Sequence, residues 1–197
     1  MKVFDISVWQ PDNTVDKLVR FGADGIILRL GLTYHGEPEL DEKYAMFLEQ
    51  VRAKGLPCGL YYYSKMQSYE MARMEAQFIN DKVYEFYGND AEPELGVWWD
   101  MEDETTKFDG IHEMTMYGVD TLLNWGFHKV GIYAGYSYFY DYLDIDDIEQ
   151  RQIPIWVAHY NRYNSLLLER PQLNHHGWQF TEAYDGNSLD GNEWYKM

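Results

Sequence analysis

Short apolar runs, rich in β-branched and aromatic residues, recur along the whole chain, and polar or glycine-containing segments separate them. Runs of this length between turn residues are typical of β-strands buried in a sheet. The pattern therefore predicts eight strands, which are Val3–Val8, Gly25–Leu30, Leu56–Tyr63, Leu95–Met101, Lys129–Tyr133, Pro154–Ala158, Gly177–Thr181 and Ser188–Leu189.

Apolar residues at helical spacing occupy the first four gaps between these runs, and a glycine follows each pattern. Such stripes predict amphipathic helices, and glycine is the usual residue just beyond a helix end. Asn13 or Thr14 is expected to cap the first helix, and Asp41 the second. The stripes are Val15, Leu18 and Val19 before Gly22; Tyr44, Phe47, Leu48 and Val51 before Gly55; Ala72, Ala76, Ile79, Val83 and Phe86 before Gly88; and Met116, Val119 and Leu123 before Gly126.

Helical signals weaken in the second half of the chain. The segment Asn161–His176 shows only the cluster Leu166–Leu168, followed by Pro171. We interpret His175 and His176, at the end of that segment, as a loop pair. Helices are therefore expected after the first four or five strands only.

The alternation of strands and helices predicts βαβ units with a parallel sheet. Eight strands with helices confined to the first part favour a closed α/β barrel whose second half has lost its helices. A doubly wound dinucleotide-binding fold fits less well, because no G-x-G-x-x-G sequence follows the first strand. Since no linker, repeat or low-complexity tract interrupts the pattern, we expect a single domain over residues 1–197.

The chain is strongly acidic, with 33 Asp and Glu residues against 16 Lys and Arg and a formal net charge of −17. A surface of this sign repels polyanions, so nucleic acid and anionic membranes are not expected partners. No apolar run reaches the roughly 18–20 residues of a membrane span, and Asp5 interrupts the first apolar stretch, which is unlike a signal peptide. Cys58 is the only cysteine, which excludes an internal disulfide and a cysteine-based zinc cluster.

Acidic residues stand at or near the ends of three predicted strands. Side chains two residues apart on a strand share a face, so Trp98, Asp100 and Glu102 are expected on the inner face of the barrel. Asp5 lies within the first strand and Asp190 at the end of the last. Carboxylates that converge at the carboxyl end of a barrel are suited to glycoside hydrolysis, because that reaction needs a proton donor and a second carboxylate.

Three further features bear on the site. Arg29 interrupts the second strand, and we interpret it as a structural counter-ion inside the barrel. The acidic run Asp100–Glu104 has the oxygen ligands that Ca²⁺ or Mg²⁺ would need. Four of the six histidines are candidate ligands but lack metal-ligand spacing, so no metal or cofactor is expected; they are His112, His159, His175 and His176.

Aromatic residues make up 17% of the chain, and several stand near predicted strand ends. Rings of this kind stack on the apolar C–H faces of sugars, while tyrosine hydroxyls remain available for hydrogen bonds. We therefore expect a sugar-binding surface formed by Tyr61, Tyr63, Trp98, Tyr133, Trp156, Tyr160 and Trp178.

Eight sequence blocks, in order along almost the entire chain, resemble the family-25 glycoside hydrolases, the Chalaropsis-type lysozymes found among phage endolysins and bacterial autolysins. Asp5–Gln10 resembles the D-x-S-x-x-Q signature of that family, and Trp99–Asp103 its D-x-E block. Tyr62 stands where many members have His, and no recognisable wall-binding module follows the barrel. The other blocks are Gly25–Arg29, Gly59–Tyr63, Ile132–Tyr133, Ile155–Tyr160, Trp178–Thr181 and Leu189–Asn192.

The resemblance implies an irregular TIM-like (β/α)5(β)3 barrel that cleaves the β-1,4 bond between N-acetylmuramic acid and N-acetylglucosamine in bacterial cell-wall peptidoglycan. By position, it implies Glu102 as proton donor and Asp100 as the carboxylate that orients and stabilises the developing charge. Asp5 and Asp190 would complete the acidic cluster, and Gln179 would join the substrate-binding aromatic residues.

The resemblance also implies a protein that acts at the bacterial wall, outside the cell or after release from a host cytoplasm, and we take a monomer as the default oligomeric state. Two alternatives remain open at this point. One is a non-catalytic glycan-binding barrel, and the other is a metal-dependent hydrolase that uses the acidic run.

Overall fold

The computed structural model describes residues 1–89 and 91–195. In this described part, the chain folds into an eight-stranded closed barrel with one additional strand outside it. The strands are β1 (Lys2–Ile6), β2 (Gly25–Tyr34), β3 (Glu37–Leu40), β4 (Cys58–Tyr63), β5 (Val97–Asp100), β6 (Val130–Gly135), β7 (Pro154–Ala158), β8 (Asn174–Thr181) and β9 (Asp190–Trp194). The helices are α1 (Thr14–Arg20), α2 (Tyr44–Ala53), α3 (Tyr69–Tyr87), α4 (Ile111–Asn124), α5 (Tyr136–Asp141), α6 (Ile145–Arg151) and α7 (Ser165–Glu169).

Neighbouring strands of the barrel run parallel from β1 through β2, β4, β5, β6 and β7 to β8. The last strand, β9, lies antiparallel to both β8 and β1 and closes the barrel between them. β3 pairs with β2, as a hairpin outside the barrel. Helices follow the first five barrel strands, with only the short α7 after β7, so the (β/α)5(β)3 prediction is confirmed.

Local predictions fail at several places. Asn13 precedes α1, but its side chain makes no capping hydrogen bond. The eighth strand begins at Asp190 rather than at Ser188, and His175 and His176 lie in β8 rather than in a loop. The strand β3 has the sequence EPEL, whose polar residues give no apolar signal. Asp41 is not the N-cap of α2, which is Lys43: its Oδ2 accepts hydrogen bonds from Arg29 and from the backbone N–H of Val8, and its Oδ1 accepts from the backbone N–H of Lys43.

Tryptophan rings fill the lower part of the barrel, where the parallel strands begin. Trp98 and Trp194 meet edge to face with their ring centroids 5.2 Å apart, and Trp156 packs against both. Gly131 and Gly177 leave room for these rings, since a Cβ on Gly177 would lie only 2.3 Å from the ring of Trp194. A barrel packed in this way has no through-pore, so ligands reach its interior from the upper, carboxyl end of the parallel strands.

The helices cover the outside of the barrel through a second, larger apolar layer. Val97, Trp99 and Met101 belong to this outer layer, as strand alternation predicts, while Trp98 belongs to the interior cluster. Within the described residues, no helix is both long enough and apolar enough to cross a membrane.

Candidate active site

A cavity of about 270 Å³ opens at the carboxyl end of the barrel strands, above the tryptophan layer. It is lined by five carboxylate residues together with aromatic side chains and one amide. The lining residues are Asp5, Tyr61, Asp100, Glu102, Tyr133, Trp156, Tyr160, Gln179, Glu182 and Asp190. The four acidic residues predicted from the sequence therefore meet in one place.

Asp190 reaches this cavity because β9 runs antiparallel to its neighbours. The first residue of an antiparallel strand lies at the same rim as the last residues of the parallel strands beside it. Asp190 is accordingly the register partner of Asp5 on β1. The apolar pattern of the sequence predicts Asp190 at a strand end, whereas in the structure it begins β9.

Asp5 is only 6% exposed, and its carboxylate is held by neutral donors. Its Oδ2 accepts hydrogen bonds from Asn192 Nδ2 at 2.7 Å and from Gln179 Nε2 at 3.1 Å. Arg29 forms its ion pair with Asp41 at 2.8 Å, so it is a structural counter-ion, as predicted, but for Asp41. Burial raises the pKa of Asp5, and the two hydrogen bonds oppose that shift.

Asp100 is the last residue of β5 and is 3% exposed. Its Oδ1 is buried and has no hydrogen-bond partner in the described part of the chain. Burial raises the pKa of Asp100 well above its ordinary value, and the charges of Glu102 and Asp5 raise it further. A carboxyl group in this environment is stabilised in its neutral form.

Glu102 lies two residues beyond Asp100, just past the end of β5, and it is exposed at the cavity mouth. Its pKa is raised, first by desolvation and then by the charge of Asp5, while the Tyr133 hydroxyl beside it acts in the opposite direction. A carboxyl group that keeps its proton above the usual pH range is suited to general-acid catalysis.

Two tyrosines fix the orientation of Gln179. The hydroxyl of Tyr133 donates to Gln179 Oε1 at 3.0 Å, and the hydroxyl of Tyr160 donates to the same atom at 2.9 Å. Because the amide oxygen is occupied by two donors, the amide nitrogen faces Asp5. This chain of hydrogen bonds runs from the aromatic wall of the cavity to one of its acidic residues.

The predicted sugar-binding residues fall into two groups. Tyr61, Tyr133, Trp156, Tyr160 and Gln179 line the cavity. The other three, Tyr63, Trp98 and Trp178, lie outside its lining.

Each of these three residues has a structural reason for its place. Trp98 is on the predicted inner face but too deep in the barrel, where its Nε1 donates to the carbonyl of Leu95. Trp178 points to the outer side of β8 and donates to the carbonyl of His159. Tyr63 lies at the rim, where its hydroxyl donates to Asp103 at 3.1 Å.

Glu182 is the cavity residue that the sequence analysis misses. It directly follows Thr181, the last residue of β8, and its charge helps to raise the pKa of Asp190. Its position one residue beyond a strand that ends at the mouth is the signal that could have identified it. Among the described residues, no group of three or more His, Cys, Asp or Glu side chains has an arrangement that could hold a metal ion.

Comparison with protein families gives one match, which covers nearly the whole chain. The profile described as Glycosyl hydrolases family 25 matches residues 4–189. By sequence, no curated protein matches the chain.

Solved structures with the same barrel share low sequence identity with this chain. The modular autolysin LytC from Streptococcus pneumoniae is 21% identical with a TM-score of 0.78, and the match covers 98% of this chain and 46% of that one. The Clostridium perfringens spore cortex lytic enzyme SleM is 21% identical with a TM-score of 0.80, and the match covers 100% of this chain and 67% of SleM. A muramidase from Trichobolus zukalii is 16% identical with a TM-score of 0.72, and the match covers 100% of this chain and 94% of the muramidase.

The chain thus spans just under half the length of LytC, which has also been solved in complex with a synthetic peptidoglycan ligand. At these identities the likeness establishes the barrel fold.

Proposed function

The chain belongs to glycosyl hydrolase family 25, and from this premise we propose that it is a muramidase, which hydrolyses the β-1,4 bond between N-acetylmuramic acid and N-acetylglucosamine in peptidoglycan. The observation that carries the proposal is the pairing of Asp100 and Glu102 in one cavity with Asp5 and Asp190, where both members of the pair have raised pKa values. The proposed substrate is the peptidoglycan of the bacterial cell wall, and the protein acts at that wall.

In the proposed reaction, the neutral carboxyl of Glu102 donates its proton to the glycosidic oxygen as the bond from that oxygen to the sugar C1 breaks. Positive charge develops on the sugar ring, and Asp100 orients the sugar. Because the neighbouring carboxyl groups of the cavity titrate together, Asp100 stabilises this charge in the state in which it is ionised and Glu102 holds the proton. A water molecule then adds to C1, and its proton restores the acid. Tyr61, Trp156 and Tyr160 supply ring faces and hydroxyls for the flanking sugars.

A substitution of Glu102 tests the assignment of the acid. We expect Glu102→Gln to lower turnover by roughly 10²–10⁴-fold, because the amide keeps the shape of the acid but has no transferable acid proton. The measurement is reducing-end release from purified peptidoglycan, with and without a chelator, together with pelleting on the insoluble wall. Binding should be retained.

Glu104→Gln is the matched control, because Glu104 belongs to the same acidic run but pairs with Lys107 at the surface. It should keep activity. Near-native turnover of Glu102→Gln would transfer the acid role to Asp103 or Glu104. Wild-type pelleting without hydrolysis would instead indicate a glycan-binding barrel, and activity abolished by the chelator would indicate a metal-dependent hydrolase.

The pH dependence of turnover follows from the raised pKa of Glu102. Only the protonated acid donates, so we expect activity to fall as pH rises through that pKa, which lies above the usual value of ~4.3. Initial rates on soluble peptidoglycan fragments should give a bell-shaped profile centred on the mildly acidic side. A profile that already declines from the ordinary carboxyl pKa, while circular dichroism shows a folded protein, would contradict the assignment.

A further inference from the structure

Glu75 is a buried carboxylate that takes no part in the proposed reaction. It lies within α3, is 1% exposed, and is absent from the cavity lining. Four donors surround its two oxygens. Oε2 accepts from Ser64 Oγ at 2.6 Å and from Trp99 Nε1 at 3.2 Å, while Oε1 accepts from Thr33 Oγ1 at 2.5 Å and from the backbone N–H of Lys65 at 3.3 Å.

Three of these donors are connected to the end of β5. Trp99 directly precedes Asp100 in that strand. Ser64 donates its backbone N–H to the carbonyl of Asp100 at 3.0 Å. Lys65 places its Nζ 3.4 Å from the carboxylate of Asp103. The short segment that carries Asp100, Glu102 and Asp103 is therefore held on its outer side by groups that converge on Glu75.

Asp100 depends on this support more than a hydrogen-bonded side chain would. Its Oδ1 makes no hydrogen bond to any described residue, so the position of that oxygen depends on packing and on the course of β5. A shift of about 1 Å in a reacting group can cost roughly a hundredfold in rate. The placement of β5 consequently matters for the chemistry.

We propose that Glu75 is a positioning residue for the reaction: through Trp99 and the Ser64–Lys65 segment it fixes the end of β5 that carries Asp100 and Glu102. The proposal rests on the proposed muramidase function. Glu75 touches neither substrate nor reacting atoms, and its effect is transmitted through these hydrogen bonds.

The donors around Glu75 also decide which substitution is informative. The indole N–H of Trp99 and the backbone N–H of Lys65 can only donate, and they face different oxygens of the carboxylate. Glutamine has the same shape but only one oxygen. Its NH₂ group must therefore face either Trp99 or Lys65, and either choice disturbs a connection to β5.

Thr33 offers a matched control. Its hydroxyl also donates to Glu75, but it lies on β2, away from the β5 segment, and it accepts a hydrogen bond from the Tyr62 hydroxyl at 3.0 Å. Thr33→Val removes one hydrogen bond from the same carboxylate with nearly the same side-chain volume. Both variants are expected to lower the melting temperature, but only Glu75→Gln should displace the acids.

The experiment compares wild type, Glu75→Gln and Thr33→Val on soluble, peptide-free glycan strands prepared from purified peptidoglycan. We expect Glu75→Gln to lower kcat by about 10- to 100-fold with KM unchanged, and Thr33→Val to stay within twofold of wild type. Amide and indole N–H resonances recorded by NMR should shift at Trp99, Asp100 and Asp103 in Glu75→Gln and remain in place in Thr33→Val.

Two results would overturn the proposal: unchanged kcat and unmoved β5 resonances in Glu75→Gln, or an equal loss of kcat in both variants at equal loss of melting temperature. The second result would assign Glu75 a purely structural role. If the wild type releases no reducing ends, the proposed function fails, and the resonances of Asp100 and Asp103 still decide whether Glu75 positions them.

Discussion

At the scale of single residues, several carboxyl groups lie close together at the mouth of the barrel, where burial and their mutual repulsion disfavour the ionised form. Asp5 and Asp190 face each other across two antiparallel strands, and the pKa of each is raised, chiefly by burial. A carboxyl group whose pKa is higher in the folded than in the unfolded state binds its proton more tightly when folded. Its contribution to stability is therefore greatest at low pH and is lost as pH rises.

Asp190→Asn tests this relation, because the amide cannot ionise. Below about pH 4 the carboxyl is neutral in both states, and the variant should melt like wild type. Between that pH and the raised pKa of Asp190, the carboxyl ionises more readily in the unfolded state, so the wild type loses stability as pH rises. The variant has no such carboxyl and does not lose this stability. We expect a gain of a few degrees near neutral pH, since each kcal/mol is worth roughly 2–4 °C for a chain of this size. Calorimetry at a series of pH values gives the comparison.

The exposed Asp109 supplies the control, since Asp109→Asn makes the same chemical change outside the mouth. An equal gain in both variants would assign the effect to net charge rather than to the site. Turnover of Asp190→Asn should fall even though its stability rises. This opposition is typical of residues that are kept for activity.

At the scale of elements, strand alternation predicts which face a side chain takes but not its depth in the barrel. Trp98 lies on the inner face, as expected, yet below the cavity, because β5 enters the barrel with that residue at the level of Trp194. Arg29 and Asp41 are both singled out by the sequence, but their pairing depends on the packing of the β3–α2 connection against β2. Depth and partner choice are tertiary properties that periodicity does not encode.

The strands β1 and β5, which carry Asp5 and Asp100, were nevertheless predictable, because each combines an apolar run with an acidic residue at or near its end. Glu182 was not, because it follows β8 in a segment without periodicity. The antiparallel course of β9 was also not predictable, since apolar content carries no information on strand direction. That course explains why Asp190 lies at the mouth.

The tryptophan layer provides a test at this scale. Gly177→Ala would place a Cβ 2.3 Å from the ring of Trp194 and 2.9 Å from that of Trp156. Overpacking of this kind costs typically 1–3 kcal/mol, so we expect a clear loss of melting temperature. Gly135→Ala is the control, because no atom lies within 4 Å of its Cβ and its φ of −64° suits alanine. Equal melting temperatures for the two variants would show that the ring layer adjusts freely.

At the scale of the whole molecule, the formal charge of −17 affects how readily the protein binds to a bacterial cell wall. Cells whose walls carry anionic polymers repel a protein of this sign, and salt screens that repulsion within about 8 Å at ~0.15 M. We expect lysis of intact cells to be poor at low ionic strength and to improve toward that concentration. Soluble peptidoglycan fragments free of such polymers should show much less response. Equal salt dependence for both substrates would exclude repulsion as the cause.

The closure of the barrel by β1 and β9 has a consequence for synthesis on the ribosome. The amino group of Met1 donates to the carbonyl of Trp194, and Asp5 is held by Asn192, 187 residues away along the chain. A growing polypeptide thus exposes one unpaired edge of β1 until β9 emerges, and such an edge is open to pairing with other chains. The complete set of acids is assembled only at that last step. We therefore expect nascent chains to have no lytic activity and to need protection from aggregation until the final strand is in place.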